Sequence, residues 1–121
     1  MYNIEFYSDC HGKSEVYDYL KNLKANLTKE NKQKLKKIDL YIDLLAEYGF
    51  SLNEPYIKKI DREIWELRPL RNRILFASLY NNNFILLSIF IKQTKKTPKR
   101  EIEKAKRLLE DYKKRSDYNH G

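Results

Sequence analysis

Arg68, Arg73 and Lys92 carry the chemistry this sequence offers, and they offer it to phosphate. Each stands at one end of an otherwise apolar stretch. Arg68 closes Ile64-Trp65-Glu66-Leu67-Arg68, Arg73 opens onto Ile74-Leu75-Phe76, and Lys92 follows Phe90-Ile91. Charge in such places is costly unless a surface uses it, and phosphate is the anion that guanidinium and ammonium groups grip best. A guanidinium stays ionised and binds phosphate oxygens bidentately, which suits Arg68 and Arg73 to stabilising developing negative charge. An ammonium such as that of Lys92 can serve as base or acid where neighbouring cations favour its neutral form. Phe90 lies two residues before Lys92 and so on the same strand face, placing a ring beside an ammonium. A ring there can stack on a nucleobase, a contact worth about 1–3 kcal/mol. Arg71, Lys95 and Lys96 surround this set as general backbone-binding charges. A plainer reading competes at each position. Arg68 and Lys92 can be solvated strand ends, Lys92 a guard against edge pairing, and Phe90 a core residue. Trp65 is read as core, and Glu66 as the residue that orients Arg68 or Arg73.

Composition fits a polyanionic partner. The 121 residues carry 25 Lys+Arg against 17 Asp+Glu, a net charge of +8, with 41% hydrophobic and 13% aromatic residues. This is one domain, 1–121, with material for a single core. Its charge favours nucleic acid over an anionic membrane, although a solvated basic face would give the same count. No apolar run approaches the ~18 residues of a membrane span. The start Met1-Tyr2-Asn3-Ile4-Glu5 lacks the basic leader and long apolar core of a signal peptide. The single cysteine, Cys10, has no partner for an internal disulfide and suits a reducing cytoplasm. His11 and His120 sit near the termini, away from any second plausible ligand. Neither a metal site, a cofactor nor a His-assisted nucleophile is expected, and both histidines are read as surface residues.

The elements that must hold these residues follow from periodicity. Asn3 to Ser8 alternates as a short half-buried strand. Val16, Leu20, Leu23 and Leu27 mark a helix over Lys13 to Leu27. Thr28 caps a second helix with the stripe Leu35, Ile38, Ile42, Leu45 and Tyr48, and Gly49 ends it. The connection is so short that the two helices are antiparallel. From Tyr56 the period becomes two, and Lys58-Ile60-Arg62 leads into the Trp65 strand, which Pro69 ends. Asn72 to Tyr80 is the next strand, Asn81-Asn82-Asn83 a tight turn, and Phe84 to Ile91 a strand buried on both faces. Thr97 caps a third helix with Pro98 at its first position and Ile102, Ala105, Leu109 and Tyr112 inward. The tail from residue 115 is read as frayed. The order is β-α-α-β-β-β-α, an α+β fold with a twisted, mainly antiparallel sheet and the first helix pair packed on one side.

Three pieces in this order resemble the phage-related HigB-like toxins of the RelE/ParE superfamily of type II toxin–antitoxin systems. They are Ile64-Trp65-Glu66-Leu67-Arg68, then Arg71-Asn72-Arg73-Ile74-Leu75-Phe76, then Phe90 through Pro98 followed by Glu101-Ile102-Glu103-Lys104-Ala105. They lie within residues 58–112, nearly half the chain. One departure is Gln93, where the family frequently has a second lysine, leaving Lys92, Lys95 and Lys96 as candidates. The resemblance implies a RelE/ParE-like fold and a ribosome-dependent mRNA endonuclease. It also implies neutralisation by a HigA-like antitoxin with a helix-turn-helix domain. A heterotetramer then follows, which reaches operator DNA only through the antitoxin. Metal-independent cleavage requires a base for the 2′-OH, cations for the charge on phosphorus, and an acid for the departing 5′-oxygen. In this scheme Arg68, Arg73 and Lys92 are catalytic, and Arg71, Phe90, Lys95 and Lys96 bind RNA. ParE-like members of the superfamily instead inhibit DNA gyrase, and fold alone does not choose between them. A third possibility is a plain basic nucleic-acid-binding module.

Overall fold

Hydrophobic alternation and helix caps divide the chain much as the periodicity suggests. The computed structural model describes residues 1–120, the side chains of 81 and 117–120 excepted, so residue 121 and the side chain of His120 lie outside the described residues. The order is β1 (Asn3–Phe6), α1 (Glu15–Ala25), α2 (Lys29–Tyr48), β2 (Ile57–Lys59), β3 (Trp65–Leu67), β4 (Asn72–Leu79), β5 (Asn83–Ile91) and α3 (Lys99–His120). The strands form one mixed sheet in the order β1-β5-β4-β3-β2. Among the described residues only the β1–β5 pair is parallel. The architecture is α+β, with α1 and α2 on one face and α3 on the other.

Alternation along the strands feeds two cores. Ile74, Phe76, Leu67 and Leu86 join Val16, Leu20, Leu23, Ile38 and Leu45 beneath the helix pair. Leu75, Ala77, Ile64, Ile85 and Leu87 join Ala105 and Leu109 beneath α3. Fully burying each large aliphatic side chain contributes about 1.5–3 kcal/mol, so both layers hold the sheet. Its phase changes once. Leu75 pairs with Ser88 but Phe76 pairs with Leu86, leaving Leu87 as an extra residue. This bulge inverts which face the later residues of β5 present, so Ile89 lies under the helix pair and Phe90 toward α3.

Several boundaries differ from the sequence reading. The segment Lys58 to Arg68 is two strands, adding a strand to the expected order. The amides of Ile60 and Asp61 both donate to the Ile64 carbonyl, at 2.9 and 3.0 Å. Asp61 Oδ1 accepts from the Arg62 amide at 2.8 Å, a short-range bond that favours a turn over a ladder. Helix α1 starts later than Lys13 because Ser14 Oγ accepts from the Tyr17 amide, and it stops at Ala25, leaving Leu27 exposed. Thr28 does cap α2, accepting from the Asn31 amide at 3.1 Å. Tyr48, expected on the buried stripe, is exposed. Helix α3 spans Lys99–His120. Arg115 bonds Asp111 and the Ser8 carbonyl, tying the helix at that point to the loop after β1.

Candidate functional site

The α3-facing surface of β3, β4 and β5 gathers the candidate residues. Glu66 pairs with Leu75 and with Lys58, Arg73 pairs with Phe90, and Arg68 lies one step beyond the Leu67–Ile74 pair. Cross-strand partners share a face, so the register itself brings these side chains together. Without the extra residue at Leu87, Phe90 and Lys92 would face the helix pair.

Glu66 is the hub. It is 2% exposed, and its Oε1 lies 3.3 Å from Arg68 Nε and 3.7 Å from Arg73 Nε. Its other oxygen, Oε2, accepts from Thr97 Oγ1 at 2.6 Å. One carboxylate therefore holds two guanidinium groups close together, an arrangement their mutual repulsion would otherwise forbid. Arg73 is 7% exposed and Nη1 donates to the carbonyls of Leu70 and Asn72, each at 2.9 Å. Burial draws the Arg73 guanidinium below its ordinary range, and the Arg68 charge adds to this, while Glu66 and Tyr41 pull the other way. Arg68 Nε is buried and makes no hydrogen bond, its N–H not aimed at the nearby carboxylate. A buried donor without a partner is costly.

Arg73, Phe90, Lys92, Lys95 and Lys96 line one concavity with Glu66. Arg68 joins it through Glu66, and Arg71 lies in the adjoining concavity with Arg73, Lys92 and Lys95. The Lys92 amide donates to the Arg71 carbonyl at 2.8 Å, and Arg71 Nη2 donates to the Lys92 carbonyl at 2.9 Å. This reciprocal pair fixes where β5 delivers Lys92. Phe90 is half-buried and packs on the α3 core, so it is both core margin and cavity wall. Trp65 sits on the opposite face, packed on the helix-pair core, with its ring centroid 4.5 Å from that of Phe50. His11 is exposed, as the sequence suggests.

Sequence reasoning missed three contributors. Thr97, assigned to helix capping, is bound to Glu66 instead. Helix α3 begins at Lys99, and the Pro98 carbonyl accepts from the amides of Glu101 and Ile102. Lys58 adds an exposed ammonium directly opposite Glu66 in the sheet, a pairing legible only once the β2–β3 hairpin is known. Leu70 has φ +56, in the left-handed region, and sends its carbonyl to Arg73. A leucine carries no sequence signal for that conformation.

A model of the family of phage-derived Gp49-like proteins (DUF891) matches residues 18–110, from within α1 to within α3. No curated protein matches the chain. Among the described residues, no helix is long and apolar enough to cross a membrane.

Proposed function

Because this chain belongs to the phage-derived Gp49-like family, a family associated with toxin–antitoxin toxins, we propose that it is an endoribonuclease toxin. In this reading it cuts mRNA on the translating ribosome in the cytoplasm. The observation that carries it is Glu66 holding Arg68 and Arg73 side by side, with Arg73 in a concavity shared with Lys92, Lys95 and Lys96.

The chemistry is transesterification. The 2′-oxygen loses its proton and attacks phosphorus, the bond to the 5′-oxygen breaks, and that oxygen is reprotonated. Arg68 and Arg73 hold the non-bridging oxygens where charge develops, and burial strengthens that hold. Lys92 serves proton transfer, Phe90 offers its ring to a base, and Arg71, Lys95 and Lys96 position the strand. Glu66 is a positioning residue. Its partner is a HigA-like antitoxin with a helix-turn-helix domain, in a heterotetramer that contacts operator DNA through the antitoxin alone.

Inducible expression with primer extension on total mRNA tests this. Growth arrest with new, translation-dependent 5′ ends is expected, with both lost in Arg73→Ala and Lys92→Ala. Arrest with intact mRNA and stalled DNA would move the assignment to a non-hydrolytic inhibitor of DNA gyrase. Salt-sensitive RNA binding without arrest would leave only a basic binding module.

A further inference from the structure

We infer that the groove between the first turns of α2 and the adjoining ends of β4 and β5 is a nucleobase subsite, walled by Leu70 and Ile91 and edged by Gln33 and Gln93. This rests on reading the Arg/Lys cluster as an RNA-phosphate site. The groove has a volume of about 620 Å³, within the ~300–1,000 Å³ range of small-molecule sites. It shares Leu70, Arg71 and Gln93 with the next concavity, which continues to Arg73, Lys92 and Lys95. A strand whose phosphate lies at Arg73 therefore has an adjoining place for a base.

The lining changes character along that path. The Arg73 end is cationic, whereas the far end offers two aliphatic side chains left open to solvent, Leu70 at 50% and Ile91 at 42% exposure. Gln33 and Gln93 bring amides that can both donate and accept, the groups that read a base edge once the base is out of a stack. Glu30 adds an acceptor for a ring or amino N–H, with Lys34 Nζ 3.6 Å from its carboxylate. The backbone points the same way. Leu70 takes φ +56, a conformation that asparagine or glycine adopts at lower cost. An aliphatic side chain kept in strained backbone and turned toward solvent beside a binding site suggests a role in contact. The same residue couples the subsite to the phosphate site, since its carbonyl receives Arg73 Nη1 at 2.9 Å.

The test compares binding of short single-stranded RNAs, one for each base, with a stable abasic phosphate backbone of equal length and charge. The wild-type chain should bind at least one of the RNAs about ten-fold or more tighter than the abasic backbone, the range of one base contact. Leu70→Asn, which suits the left-handed backbone, should bring that ratio close to one while melting no lower than wild type, so lost binding cannot come from unfolding. A wild-type chain that binds every RNA no better than the abasic backbone would overturn the subsite, as would a Leu70→Asn variant that keeps the wild-type ratio. Arg73→Ala on the abasic backbone separates the two levels. Unchanged affinity there would sink the phosphate assignment, whereas weakened affinity together with an unaltered Leu70→Asn ratio would sink the base subsite alone.

Discussion

Replacing Glu66 by glutamine removes one charge and almost no volume, and should cost this fold far more than its volume suggests. The carboxylate is 2% exposed, 3.3 Å from Arg68 Nε and 3.7 Å from Arg73 Nε. At an effective dielectric of about 20 those separations correspond to attractions of roughly 5 and 4.5 kcal/mol before dehydration is counted. Dehydrating the carboxylate returns several kcal/mol of this, and the 21% exposure of the Arg68 side chain screens its share. Removing the charge alone leaves two guanidinium groups facing each other, so the expected net loss is about 3 kcal/mol. For a chain of this size that is a drop in Tm of about 12 °C. Glutamine still offers an oxygen to Thr97, which confines the effect to the charge. Calorimetry in chloride and in sulfate at matched ionic strength reads it, and sulfate should restore more stability to Glu66→Gln than to wild type by sitting between the arginines. A variant within about 0.5 kcal/mol of wild type, or one that sulfate helps no more than it helps wild type, would refute the view that Glu66 holds the two arginines together.

Two further substitutions probe how the fold is held together. Gly49→Ala should destabilise by about 1–3 kcal/mol in denaturant titration, because Gly49 has φ +56 and an added Cβ would lie 2.6 Å from Tyr2 Cε2. Tyr7 donates to Asp111 Oδ2 at 2.6 Å, and its phenol is raised above the ordinary value by burial first and by Asp111 second. A raised value keeps the proton in the folded state, so this contribution is whole below pH ~10 and fades as pH rises through the folded value. Absorbance titration at alkaline pH should show Tyr7 ionising late, and Tyr7→Phe should flatten the alkaline fall in Tm. The same bond, foremost, holds Asp111 below the usual carboxylate range. That contribution is present above pH ~3.9 and is lost as pH falls through the folded value, so Tyr7→Phe should also blunt the acid limb.

The helices were legible from their stripes, Val16, Leu20 and Leu23 for α1 and Ala105 and Leu109 for α3, and α2 from its ends as well, Thr28 and Gly49. The cations at strand ends were legible because charge interrupts an apolar run there. What stayed hidden depends on bonds that no local pattern encodes. Thr97-Pro98 reads as a helix start, yet the hydroxyl goes to a carboxylate 31 residues away in sequence. Asp61 reads as one more polar residue in an alternating strand until its side chain closes on the next amide.

The deepest gap is the phase of β5, and the site depends on it. Every residue from Phe84 to Ile91 except Ser88 is apolar, so nothing in the run tells one face from the other. A strand of period two that slips by one residue exchanges its faces completely. Strict alternation from Ile85, which lies in the α3 core, would put Phe90 and Lys92 under α1 and α2. The unpaired Leu87 inverts that, setting Phe90 opposite Arg73 and carrying Lys92 toward Glu66's side of the sheet. The inversion leaves traces: the Ser88 hydroxyl is buried with no hydrogen-bond partner, and the Ile89 amide is met by Glu15 Oε1 at 3.0 Å. A buried orphan hydroxyl is a local cost, and Glu15 offsets a second one by accepting from the Ile89 amide. Ser88 is thus left unpaired in the strand that brings a ring and an ammonium to the face where two arginines already share one carboxylate.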